Sequence, residues 1–383
     1  MNDKNTPAHE VKGWCPGALR PMMSGDGLVV RLRPFGGRLR RAQADGIASL
    51  AAAHGNGFLD LSSRGNIQIR GVTDASYDAL MTGLDAMGLV DPTPQIESRR
   101  NILVTPFWNP DDETQTLTAA LTEALGTTDA PDLPGKFGFA VDAGRTPVLH
   151  AASADIRLEM DAGGGLILVA DGMDSGKPVA LDNAVSEALA LARWFVDHAG
   201  DATRMKTLIA AGTLPDGAFV PRQKADFLPA PGYTPNGAMV GLAFGQLRVE
   251  TLSTLAKHGG LRMTPWRLLL VESARELPQI EGVITDPSDP LLRITACTGA
   301  PNCAQALGVT RSLGQILAPY LPADKTLHIS GCTKGCAHPQ AAPLTLTAQP
   351  DGYALIRDGK ADAPPAKSGL SPDDLKDEIQ NAP

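Results

Sequence analysis

From Leu28 to Leu39 the chain alternates apolar and polar positions and then breaks at Gly36-Gly37, the pattern of a strand ending in a tight turn. Apolar residues next recur at helical spacing from Ala42 to His54, and Gly55 stops the run. Phe58 to Arg70 returns to an extended pattern and reads as a strand pair, and Tyr77 to Met87 reads as a second amphipathic helix closed by Gly88. The same order recurs later. Met239–Leu247 is strand and turn, Glu250–His258 is helix, Gly259-Gly260 is its stop, and Leu261–Val271 is the next strand. Phe35-Gly-Gly answers to Phe244-Gly-Gln, and His54-Gly to His258-Gly. A strand–helix–strand piece of this size cannot bury both faces of its sheet alone, so two related copies packed together are expected.

A second similarity follows each copy. Arg99–Ile102 leads through a helix at Thr114–Leu125 to a strand within Leu133–Val141. Cys297–Cys303 leads through a helix at about Ala304–Leu317 to a strand within Leu321–Cys332. The layout is therefore A–B–A′–B′, with these limits: an N-terminal segment 1–24, half-domain A at 25–96, domain B at 97–231, half-domain A′ at 232–285, domain B′ at 286–357, and a mobile tail at 358–383. Within B, Asp182–His198 is an amphipathic helix capped by Asp182 or Asn183. Residues 214–237 carry proline and glycine at linker density. The tail is rich in proline and charge, although Ser371-Pro372-Asp373-Asp374 suits the cap of a short final helix.

With 383 residues, 43% hydrophobic and 20% charged, the chain has room for two or three soluble globular domains. No apolar run approaches the roughly 20 residues that span a bilayer. The opening MNDKNTPAHE lacks a signal peptide, so a cytoplasmic protein is expected. A net charge of −8 disfavours nucleic acid as a partner. The charge is uneven, however. Between Lys12 and Arg41 stand seven basic residues (Lys12, Arg20, Arg31, Arg33, Arg38, Arg40, Arg41) against one acid, Asp26. Arg64, Arg70, Arg99 and Arg100 follow. The arginine fork engages both oxygens of a carboxylate, so this concentration suits a small polyanion; for any single arginine, a solvated basic face is the plainer reading.

Four of the five cysteines fall as Cys297-x5-Cys303 and Cys332-x3-Cys336. Four thiolates brought together can hold a [4Fe–4S] cluster, and these spacings differ from the paired Cys-x2-Cys of a zinc ribbon. The intervening residues are small and turn-forming, which lets backbone N–H groups point at a negatively charged cluster. Buried structural cysteines or a disulfide are the alternative; the lack of a secretory signal weighs against the disulfide.

On these residues the chain resembles the sulfite/nitrite reductase superfamily over nearly its whole length. Its short length, Trp14-Cys15-Pro16-Gly17 and Gly138 make it similar, within that group, to the precorrin-3B synthase family. The resemblance implies an α+β, internally duplicated sulfite/nitrite reductase-like fold with two ferredoxin-like half-domains and two α/β reductase-type domains. It implies that Cys297, Cys303, Cys332 and Cys336 hold a [4Fe–4S] cluster, and that Cys336 is the residue which in the reductases also bridges to sirohaem. Ser62–Gln68 resembles the Thr-Thr-Arg-Gln-x-x-Gln strand, Arg100-Asn101 the Arg-Asn pair, and Leu133–Gly138 the Leu-Pro-Arg-Lys-Phe-Lys loop. Arg64, Arg100 and Lys136 are therefore the candidate catalytic residues. Arg31, Arg33, Asn66, Gln68, Arg70 and Asn101 join them as candidate substrate-binding residues.

Gly138 stands where the reductase pattern has its second lysine, and Gly135 where it has arginine. A glycine can neither neutralise an anion nor relay protons to it. The implied activity is therefore an O2-dependent monooxygenase acting on precorrin-3A. It would use the cluster and a mononuclear non-haem iron, with electrons from NADH through an external reductase or ferredoxin-type donor. No spacing reveals ligands for that iron, and no G-x-G-x-x-G follows a strand. A monomer without nucleic-acid or membrane partners is expected. The rivals are a sirohaem-dependent sulfite or nitrite reductase and a non-catalytic iron–sulfur electron carrier. His338, close to Cys336, is a ligand or proton donor under the sharper reading and an ordinary loop hydrogen-bonder under the plainer one. His54 and His258 read as helix C-terminal residues, Trp14 and Trp266 as core or interface, and Cys15 as a small buried hydrophobe.

Overall fold

A computed structural model of the chain describes residues 16–223, 227–276 and 279–382, so Trp14 and Cys15 lie outside the described residues. A five-stranded and a six-stranded sheet form the centre. The first runs Met22–Ser24, Gly27–Leu32, Ile67–Val72, Phe58–Leu61 and Gln246–Arg248. The second runs Gly232–Thr234, Gly237–Leu242, Leu268–Glu272, Leu261–Met263 and Arg38–Leu39, with Val283–Ile284 also paired to Gly237–Leu242. Each sheet is thus completed by a strand from the other half, with Leu247 opposite Leu59 and Leu39 opposite Leu261. Left-handed turns redirect the chain: Gly36 and Gly37 have φ of 64° and 65°, and Phe244 and Gly245 have 58° and 72°.

The helices Arg41–His54 and Val249–His258 follow the exchanged strands and pack on each other. Leu59, Ile69, Val240, Leu252, Leu255 and Leu261 are fully buried in one shared core. A single half would leave that apolar surface in water, which is why the duplication is needed.

Two flanking sheets repeat a second plan. In one, Ile102–Val104, Phe139–Asp142 and Ile156–Met160 are parallel and Leu166–Ala170 returns antiparallel. In the other, Ile294–Ala296, Leu327–Ser330 and Ala342–Gln349 are parallel and Gly352–Gly359 returns antiparallel. The fold is the expected internally duplicated α+β arrangement.

Three expectations need correction. The tail is ordered: Lys367–Leu370 adds an edge strand, and Pro372–Gln380 is a helix with a Ser371/Asp374 capping box. Leu375 and Ile379, one turn apart, are buried in the core of the last sheet, and that burial outweighs the polar composition around them. The helix expected from about residue 304 covers only Arg311–Leu317. Residues before it fold back on the cysteine segment instead: Ala306 N–H donates to Cys303 at 3.0 Å and Leu307 N–H to Gly331 at 2.7 Å. The helix Leu181–His198 has Ala180 at its N-cap without a side-chain cap, and Asp182 lies in its first turn.

Candidate functional site

A cavity of about 670 Å³ lies between the central sheets and the cysteine-bearing domain. Strand register builds its first wall. Arg31 pairs with Gln68 and Gln68 with Asp60, so neighbouring strands set three polar side chains in a row on one face. Arg70, two residues beyond Gln68, shares that face, and all four line the cavity. The second half contributes Phe244, Trp266 and Arg267, and the last domain contributes Arg311, Cys297, Cys336 and His338.

Both cysteine pairs follow the ends of adjacent parallel strands, Ile294–Ala296 and Leu327–Ser330. The four thiols are free. Cys297 Sγ accepts the Gly331 N–H at 3.2 Å. A hydrogen bond from Cys336, with further N–H donors from Gly331 and Gly299, pulls its pKa down to about 6 against the cost of burial. The same bond pushes Cys336 up, aided by burial and by the other three cysteines. Burial raises Cys332 as well, with Cys297 and Cys303 adding to it. Cys332 and Cys336 therefore resist deprotonation beside Cys297 until positive charge joins them. This donor set fits an iron–sulfur cluster, which spreads its four thiolates over separate irons. Among the described residues no three His, Cys, Asp or Glu side chains converge on one ion, so a mononuclear iron finds no ligand set here.

The family description that matches is the nitrite/sulfite reductase ferredoxin-like half domain, over residues 20–87. A precorrin-3B synthase of Sinorhizobium sp is 30% identical, over 95% of this chain and 86% of that one. The chain belongs to the precorrin-3B synthase family. A ferredoxin–nitrite reductase of Synechococcus elongatus is 26% identical over 94% of this chain and 82% of its own length. The structure of the Mycobacterium tuberculosis NirA protein matches with a TM-score of 0.65 at 21% identity, covering 92% of this chain and 79% of that one, so the fold is shared. The precorrin-3B synthase family thus stands within the nitrite/sulfite reductase superfamily.

For a member of this family, the surroundings of Gly138 are informative. Its N–H donates to Asp155 at 2.9 Å, its carbonyl accepts the Asp155 N–H at 2.7 Å, and a Cβ there would meet the Asn101 carbonyl at 3.0 Å. A lysine at 138 would have to displace this packing. Arg64 connects to Gly138's partner without lining the cavity: it donates to Ser153 at 3.4 Å, and Ser153 also receives Arg204, which pairs with Asp155 at 2.8 Å. Lys136 is exposed.

Other candidates are placed differently from the sequence reading. Arg100 is buried, held by both oxygens of Asp91 at 2.7 Å and stacked on Phe35, so it does not reach the cavity. Arg33 is buried against Glu97 at 3.4 Å and lines a separate cavity of about 410 Å³ with Arg20 and Gly135. Asn101 ties strands together through Phe137 and Phe139, and Asn66 is buried in the turn that Ser62 closes. Arg70 lines the cavity but is taken up by Asp26 at 2.6 Å.

Arg267 was missed. It has φ of 62°, reaches the Ile294 carbonyl at 2.9 Å, and is pushed below the ordinary guanidinium range by burial. A signal for it existed in the repeat. The turn after Leu61, where Ser62 Oγ accepts the Arg64 N–H and Gly65 has φ of 64°, is copied after Met263 by Thr264 Oγ1 accepting the Trp266 N–H. Arg267 occupies the left-handed position that Gly65 holds in the first copy.

Proposed function

We propose that this protein converts precorrin-3A to precorrin-3B with O2, hydroxylating C-20 while the ring A acetate closes a γ-lactone. The observation that carries the reading is one cavity with cysteines on one side and arginines on the other, in a chain where any side chain at 138 would press on the Asn101 carbonyl at 3.0 Å. Arg31 and Arg267 face the cavity and would bind the acetate and propionate groups at the substrate's edge. Arg64, bonded to Ser153, and the exposed Lys136 lie outside the cavity lining and would add charge at its approach. Trp266 and Phe244 offer apolar surface to the macrocycle and exclude water.

A [4Fe–4S] cluster held by Cys297, Cys303, Cys332 and Cys336 would supply single electrons, which triplet O2 needs because it reacts slowly with a closed-shell substrate. One oxygen atom enters the product and the other leaves as water, taking up two electrons and two protons. The electrons would come ultimately from NADH through an external reductase or ferredoxin-type protein, and we read the enzyme as a cytoplasmic monomer. Among the described residues no helix is long and apolar enough to cross a membrane.

The nitrite reductase relatives favour one rival, a sirohaem-dependent reductase. Purified protein decides between them. Cluster absorption without a Soret band, together with binding of precorrin-3A, supports the synthase; extractable sirohaem refutes it. Arg64→Ala and Lys136→Ala should each weaken tetrapyrrole binding about tenfold with iron content intact, whereas Cys332→Ser should lose the cluster.

A further inference from the structure

The loop from Cys297 to Cys303 is anchored outside its own domain. The carbonyl of Asn302 accepts three donors from the first sheet: Gly25 N–H at 3.2 Å, Ser24 Oγ at 2.9 Å and Arg70 Nη2 at 3.4 Å. The approach is close enough that a Cβ on Gly25 would sit 2.9 Å from the Pro301 carbonyl oxygen and 3.0 Å from Ala304 N. Arg70 is itself fixed by Asp26, at 2.6 Å and 3.1 Å, and approaches Asp60 at 3.8 Å. Asp60 reaches Arg311 at 2.9 Å, and Arg311 opens the helix that follows the loop. Thr310, just before it, donates to the Cys297 carbonyl at 2.6 Å.

One line of contacts, Asn302–Arg70–Asp60–Arg311, therefore grips both ends of the loop. The side chains of Arg70, Asp60 and Asp26 are each 8% exposed, so water competes weakly for these bonds. Two arginines and two aspartates also balance in charge, which leaves Arg70 little to offer an incoming carboxylate.

We propose that Arg70 is a positioning residue for the cluster loop, not a receiver of substrate carboxylate. With Ser24 and Gly25 it fixes Asn302, and so the adjoining Cys303, where a cluster can be held. The inference rests on the reading that the four cysteines bind an iron–sulfur cluster. Outer contacts of this kind orient metal ligands, and their loss typically weakens binding about 10–100-fold.

The test is the rate at which a chelator strips iron, without substrate, from anaerobically reconstituted wild type, Arg70→Ala, Arg70→Lys, Ser24→Ala and Gly25→Ala. Thermal unfolding of the metal-free forms and tetrapyrrole affinity are measured alongside. Arg70→Ala should lose iron on the order of tenfold faster or more, Arg70→Lys should recover part of the difference, and Ser24→Ala and Gly25→Ala should accelerate loss several-fold. Tetrapyrrole affinity should stay within about threefold of wild type, since the guanidinium is already paired. Should Arg70→Ala fail to fold, the two hairpin variants decide. Wild-type iron retention in those variants, or a fall in tetrapyrrole affinity with retention unchanged, overturns the proposal and leaves the synthase reading standing. A wild type that assembles no cluster overturns the reading and this inference together.

Discussion

The guanidinium of Arg100 meets both oxygens of Asp91 at 2.7 Å in a site where each side chain is 4% exposed or less. Removing one partner strands a buried charge, so Arg100→Ala should lower unfolding free energy by about 3–5 kcal/mol in a denaturant titration. A catalytic arginine would instead lose rate at little cost in stability. Arg267 carries the opposite expectation. Its left-handed backbone suits glycine, so Arg267→Gly should be about 1 kcal/mol more stable than Arg267→Ala, while both should bind tetrapyrrole at least about tenfold more weakly than wild type. His328 is buried with neither ring nitrogen hydrogen-bonded, and burial, reinforced by the nearby His338, pushes its pKa down from 6.5 to about 4. The unfolded chain takes up this proton near its ordinary pKa, but the folded chain refuses it until about pH 4. The contribution is therefore fully present above that ordinary value and falls by ~3 kcal/mol as pH drops through the window. Asp142, raised by burial to about 6, works the other way. Comparing metal-free wild type with His328→Phe across the window isolates the histidine: the variant should lose less stability on acidification.

At the scale of elements, strong periodicity was legible and irregular chain was not. The helix Thr114–Leu125 falls where its apolar spacing put it, and Arg41–His54 and Val249–His258 differ from the reading by one residue at their starts. Residues 304–310 carry no long-range label in the sequence: whether they extend the helix or wrap the cysteines depends on partners such as Gly331, which lies far along the chain. The cap of the final helix was legible at Ser371, but its docking was obscured by its charge, since only Leu375 and Ile379 are buried in the core. Leu375→Ala should therefore cost about 2–4 kcal/mol in unfolding free energy. A loss below about 0.5 kcal/mol would mean the helix is not docked in solution. Among the site residues, the cysteines were visible because their spacing is itself the signal. The fates of Arg70 and Arg100 were hidden because Asp26 and Asp91, which claim them, bear no mark in the sequence.

The whole molecule is tied together by reciprocal strands: Gln246–Arg248 closes the first sheet and Arg38–Leu39 the second. Neither half can complete its sheet or cover its share of the common core. Fragments 1–231 and 232–383 expressed apart should be insoluble or unfolded by circular dichroism, and should recover a folded complex when co-expressed. The cavity between the halves depends on the same closure, which brings Arg31 and Gln68 from one half to face Arg267 from the other and the cysteines beyond. The most direct test of that shared site is anaerobic incubation of the reconstituted protein with precorrin-3A, followed by O2 and an electron donor, with product mass and cluster spectroscopy read together. The expected result is a tetrapyrrole heavier by one oxygen atom, formed only with cluster-loaded protein. Unchanged precorrin-3A, or a sample that carries extractable sirohaem and reduces nitrite or sulfite, would contradict it.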